Sequence, residues 1–222
     1  MGRRITSLTV QKRNPNRVNV YLEGEFAFGL AQVVAAWLYV GQELSEERIA
    51  QLQEEDSSEV AYQKALNFLS YRSRTEAEVR TNLAKADVEP ELIEQAVERL
   101  KRSGLLNDQQ FAETWVENRS EFRPRSRRAL TYELKHKGVP EEMISAAVDG
   151  LDEEQMAYLA ARKKANKYFS LDWPGFKQKM YAFLARRGFS YEISAPIVTR
   201  IWQEHTEEQE IDTNSLREEV DL

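Results

Sequence analysis

One hydrophobic spacing occurs three times along this chain, and it constrains the fold more than any single residue. Val79, Leu83 and Val88 in the first copy return as Leu130, Leu134 and Val139, and again as Met180, Leu184 and Phe189. The match runs on through Leu92, Met143 and Ile193, then Val97, Val148 and Val198, then Leu100, Leu151 and Ile201. A period of about fifty residues, with apolar positions at helical separations inside each unit, marks stacked helical modules rather than one globular active-site domain.

Each copy reads as three helices. The first helices are predicted at 60–70, 109–122 and 155–169, and the second begin near Thr75, Ser126 and Pro174. Thr75 with Glu78 has the spacing of a capping box, in which hydroxyl and carboxylate satisfy the orphan amides of a helix start. Gly138 and Gly188 stand where a left-handed residue ends a helix, with Asp87 in that role in the first copy. Pro90 and Pro140 fall at the starts of the third helices, where a missing N–H costs little. Pro196 falls inside the last helix and is expected to kink or shorten it.

The first thirty residues have a different period. Leu8 and Val10, then Val18, Val20 and Leu22, then Phe26 and Phe28 alternate with polar neighbours, as in half-buried strands. Asn14-Pro15-Asn16 and Glu23-Gly24-Glu25 supply turn chemistry between them. A small antiparallel hairpin or three-stranded meander is expected, packed on a helix at 30–39 because so small a sheet is marginal alone. A second helix starts at Ser45, and a polar link at 53–58 leads into the repeats. The fold class is therefore mainly α: an elongated array of three three-helix repeats (59–105, 106–153 and 154–205) behind an N-terminal sheet region (1–58). An acidic, disordered tail is expected at 206–222.

Composition narrows the chemistry. The chain has no cysteine, which excludes a disulfide scaffold, thiolate metal ligation and a cysteine nucleophile. The apolar run from Leu30 to Val40 is too short to span a bilayer. Arg3 and Arg4 precede no apolar core of the kind an export signal needs. Two histidines far apart in sequence suggest no metal site, the glycines form no phosphate loop, and no cofactor is expected. Asp108 reads as a helix cap and His136 as a cation at a helix end.

The net charge of −6 conceals segregation. Acid gathers at both flanks, whereas bases crowd the middle of the chain and its third repeat, so a polyanionic partner can meet the centre. Arg72 and Arg74 recur one repeat later as Arg123 and Arg125, in the turn between first and second helices. Two readings stand open there. The guanidinium groups fork outward onto phosphates or carboxylates, or they cap the preceding helix. In the second repeat, where Arg127 and Arg128 follow, the density of charge favours binding. Arg119, Lys135, Lys137, Arg186 and Arg187 complete the candidates for partner or phosphate contact. Tyr71, Phe122 and Trp173 lie nearby, where helix-junction packing explains them more simply than stacking on a ligand.

The runs Phe68-Leu69-Ser70-Tyr71-Arg72-Ser73-Arg74-Thr75-Glu76-Ala77-Glu78-Val79, Ser103-Gly104-Leu105-Leu106-Asn107-Asp108-Gln109-Gln110-Phe111-Ala112 and Tyr132-Glu133-Leu134-Lys135-His136-Lys137-Gly138-Val139 resemble the RecX family, bacterial modulators of the RecA recombinase. Residues 19–30 look like the N-terminal hairpin of its longer members. The resemblance implies a cytoplasmic, monomeric, non-enzymatic regulator of DNA repair, recombination and the SOS response. Such a protein lies in the groove of the RecA filament and suppresses ATP hydrolysis, strand exchange and co-proteolysis. Many members are more basic overall, so at most weak contact with free single- or double-stranded DNA is expected here, and no membrane partner. Asn107 stands where an Asp is usual and Asp87 where a Gly is usual. A direct DNA-binding protein and a helical-repeat adaptor for another protein are the alternatives.

Overall fold

The computed structural model describes residues 2–220, with side chains through 209. Two compact units divide the chain, Met1–Asn107 and Asp108–Leu222.

The first unit opens with β1 (Arg3–Gln11), β2 (Asn14–Leu22) and β3 (Glu25–Ala31), an antiparallel meander. After α1 (Gln32–Ala35), the short β4 (Glu43–Leu44) pairs with β1, giving the order β3-β2-β1-β4. The second turn is as expected: Glu23 and Gly24 both have positive φ, 52° and 88°, the requirement of a tight hairpin turn that follows strand twist. The first turn falls at Lys12 and Arg13 instead, with Asn14 already paired to Gln11. Val18, Val20 and Leu22 are buried with Ile5, Leu30 and Leu44. Phe26 is not. An extra residue, Ala27, interrupts the register between the Val20–Phe28 and Tyr21–Phe26 pairs and turns Phe26 outward, edge-on to Tyr21 at 5.9 Å. The helix expected at 30–39 shrinks to α1, because Leu30 and Ala31 belong to β3, and Trp37, Tyr39 and Val40 lie exposed.

α2 (Glu46–Leu69) is a single helix of 24 residues where the sequence predicts a helix, a polar link and another helix. Ser45 caps it, and the segment 53–58 holds neither Gly nor Pro to break it. Its polar residues serve both sides. Asp56 accepts from the Ala31 amide and from Arg17 at 2.8 Å, tying the sheet to the helix. Glu59, buried, pairs with Arg99 at 2.6 Å.

α2 then packs with α3 (Glu76–Ala84) and α4 (Pro90–Arg102) around Ala65, Val79, Leu83, Ile93, Val97 and Leu100. In the second unit, α5 (Asp108–Phe122), α6 (Arg127–His136) and α7 (Glu141–Val148) enclose Phe111, Val116, Leu130, Leu134, Ile144 and Val148. A separate interior of Met156, Phe176, Met180, Leu184, Val198 and Ile201 belongs to α8 (Glu153–Ala165), α9 (Trp173–Arg186) and α10 (Tyr191–Val220). Three consecutive three-helix domains, each with its own core, are what the ladder predicts. The Thr75–Glu78 capping box is present, and Ser126 and Asp172 cap α6 and α9.

Two expectations change. Pro196 does not shorten its helix: it lies in the second turn of α10, which runs on to Val220. α10 is thus also helix from 206 to 220, where the disordered tail is expected; 221 and 222 lie outside the described residues. Buried Ile93 and Ile144 have Ser194 as their counterpart in the third domain, its hydroxyl buried and without a partner among the described residues.

Candidate basic interface

In the first domain Arg72, Arg80 and Lys101 are each held by a carboxylate. Arg72 forks onto Glu78 at 2.9 Å and also donates to the Ser73 carbonyl. Arg80 binds Glu94 at 2.9 Å and Glu76 at 3.1 Å, and Lys101 binds Glu76 at 3.0 Å. Arg74 lies 4.0 Å over the Phe68 ring, its Nε buried without a hydrogen bond among the described residues. Neither Arg72 nor Arg74 caps the preceding helix; both are engaged locally.

The second domain carries the same turn with different balance. Taking Leu83 and Leu134 as equivalent, Arg72 and Arg74 become Arg123 and Arg125, but Glu76 and Glu78 become Arg127 and Ala129. The neutralising carboxylates are gone. Glu133 replaces them in part, with Arg119 Nε at 2.8 Å from one oxygen and Arg125 Nε at 2.9 Å from the other. The Arg125 contact is an ion pair out of hydrogen-bond alignment. Glu133 also accepts from the Trp115 indole, and Arg119 lies 4.4 Å over that ring. The Arg123 and Arg128 side chains are exposed and make no hydrogen bond or ion pair with described residues.

Two candidates are structural joints. The Arg127 guanidinium donates to the Leu151 carbonyl at 3.1 Å, and its amide donates to Glu153, tying α6 to the start of α8. Arg187 donates to the Pro124 carbonyl at 2.9 Å, while its own carbonyl accepts from the Ser126 amide. Burial, together with the positive charges of Arg125, Arg123 and Arg119, lowers the Arg187 pKa, so four guanidinium groups act on one another here. Lys163 closes the end of α5 by donating to the Glu121 carbonyl. Sequence spacing did not single out Lys163 or Glu133; only the packing of α6 and α8 beside α5 gives them roles.

The remaining candidates disperse. Lys135 pairs with Glu141 at 2.7 Å, Lys137 lies 4.6 Å over Trp115, and Arg186 is exposed at the end of α9. His136 ends α6, stacked on Tyr132. Trp173 packs against Phe176 and Trp202, as junction packing predicts, whereas Tyr71 and Phe122 are exposed. Among the described residues no group of three or more His, Asp or Glu is placed to hold a metal, and no helix is long and apolar enough to cross a membrane.

Fold and surface together define a protein of tandem three-helix domains with a basic joint. Comparison with known proteins gives the class a family. Residues 3–45 match the regulatory protein RecX N-terminal domain, and 61–100, 107–148 and 152–195 match its first, second and third three-helix domains. The chain belongs to the RecX family. It is 30% identical to "Regulatory protein RecX" of Bacillus subtilis (strain 168) over 220 residues, covering 97% of this chain and 83% of that protein. Identity to "Regulatory protein RecX" of Clostridium perfringens (strain 13 / Type A) is 34% over 208 residues, 90% of this chain and 97% of the relative. A crystal structure of regulatory protein RecX superposes with a TM-score of 0.69 at 28% identity, over 88% of this chain and 98% of that one. The structure of RecX from Lactobacillus salivarius gives 0.58 at 26% identity, over 66% and 97%.

Proposed function

We propose that this chain is a non-enzymatic, monomeric cytoplasmic regulator that binds the RecA recombinase filament in its groove. It modulates, mostly by inhibiting, the filament's ATPase, strand-exchange and co-protease activities in DNA repair and recombination. The observation that carries this reading is the serial construction. Three domains of one design, each closing its own core, suit a partner that is itself a series of identical protomers. Contacts to adjacent protomers favour one inter-subunit geometry, and the difference in affinity between active and inactive filament is what shifts the balance. Reversing a 1:99 population needs a preference of about 10⁴-fold. Domains acting together supply such a preference more readily than one contact does. The test is a titration of RecA ATP turnover on single-stranded DNA. Turnover is expected to fall as this chain saturates the filament, and unchanged turnover at saturation sinks the proposal.

The exposed Arg123, Arg128 and Arg186 favour a second reading, direct binding to nucleic acid. Affinity would then fall steeply with salt. Weak binding to naked strand alongside tight binding to filament rejects it.

A further inference from the structure

The joint between the second and third domains holds charge that its own fold does not neutralise. Arg119, Arg125 and Arg123 come from the end of α5 and the turn after it, and Arg187 reaches Pro124, between Arg123 and Arg125, from the end of α9. Among the described residues the carboxylate paired with this group is Glu133, already shared by Arg119, Arg125 and the Trp115 indole. The first domain shows the alternative: there Arg72, Arg80 and Lys101 meet Glu78, Glu94 and Glu76. In the second domain Arg127 and Ala129 stand at the positions of Glu76 and Glu78, so the excess is written into the sequence.

Repulsion at a packed joint persists only where the surroundings enforce it. Backbone does so here. The Ser126 amide is bonded to the Arg187 carbonyl, and Gly188 lies so close that a Cβ on it would stand 2.4 Å from Ser126 Oγ and 2.9 Å from Ala129 Cβ. The cations are therefore held together whether or not an anion joins them. Arg123 is exposed and Arg119, Arg125 and Arg187 are half-buried, so the group is reachable from solvent.

We propose that Arg119, Arg123, Arg125 and Arg187 form an oxyanion site for a phosphate group at this joint, and that its occupancy stabilises the packing of the third domain on the second. Guanidinium forks match phosphate oxygens in pairs, and a tetrahedral ligand can take donors from two domains at once. The site does not depend on binding to the recombinase.

Calorimetric titration of the full chain with inorganic phosphate, at constant ionic strength against chloride, tests it. Saturable binding with a rise of a few degrees in melting temperature is expected. Arg123→Gln, at a position whose side chain makes no hydrogen bond or ion pair with described residues, should weaken phosphate binding about tenfold while the melting temperature in chloride stays the same or rises, because a repelling charge is removed. Arg187→Gln should abolish it and lower the melting temperature in both salts. A short thymidine oligonucleotide that displaces phosphate identifies a phosphodiester as the natural group, and failure to displace it identifies a free phosphate; either keeps the site. Absence of saturable binding, binding unaltered by Arg123→Gln, or displacement by a glutamate peptide at lower concentration than by phosphate overturns the proposal.

Discussion

The Val139 amide donates to the Leu134 carbonyl at 3.2 Å, five residues back, across Gly138 in left-handed conformation. The same bond joins Val88 to Leu83 across Asp87, and Phe189 to Leu184 across Gly188, each at 3.2 Å. The spacing visible in the sequence is thus a helix-ending motif, in which the apolar residues on either side of the reversal also pack together.

Leu83, Leu134 and Leu184 are each fully buried, in three separate cores. Replacing any one by Ala should cost about 2–5 kcal/mol, the lost transfer energy plus a cavity. Urea unfolding of the three variants checks it; a cost below that range at one position would mean its domain repacks.

Gly188→Ala should be worse than Gly104→Ala, although both residues have positive φ, 91° and 71°, because a Cβ at Gly104 meets nothing within 4 Å. The first adds the clash with Ser126 to the backbone penalty of about 1 kcal/mol. Equal losses of stability would show that Ser126 moves aside freely.

Asp56→Ala removes the acceptor shared by the Ala31 amide and Arg17. A loss of about 1.5–3 kcal/mol is expected for charged hydrogen bonds of this kind. Hydrogen exchange should rise first at the β3 amides, and uniform acceleration across α2 would contradict the assignment.

Ser194→Ala should stabilise the third domain by about 0.5–1 kcal/mol, because a buried hydroxyl without a partner loses its water for no return. Thermal melting decides it, and a lower melting temperature would reveal a bond to that oxygen.

Hydrogen bonding to Arg80 holds the Glu94 carboxyl below the usual glutamate range. A depressed carboxyl contributes stability above its unfolded pKa and loses it as pH falls through the folded value. Arg80→Gln should therefore be less stable than the natural chain at neutral pH, with the gap narrowing below about pH 4.5. Denaturant midpoints measured from pH 7 to 3 check this, and a constant gap would assign the stability to packing.

Local chemistry made much of this molecule readable as sequence. Thr75 and Glu78 cap α3 because their spacing alone suffices, and Gly138 and Gly188 end helices because few other residues adopt that backbone. The three-helix domains follow from apolar spacing, since each core is built from residues near in sequence. Other features rest on partners far along the chain. The extra residue at Ala27 exposes Phe26, and α2 stays unbroken where its polar residues serve the sheet on one side and Arg99 on the other. The arginines show the limit most plainly. Sequence marks eleven cations as candidates, yet Arg72 is neutralised by Glu78, Arg127 is committed to the start of α8, and Arg187 comes from another domain to complete a cluster around Pro124. Helix and turn propensities act within a few residues, whereas the net charge at a surface depends on which distant carboxylates folding brings near.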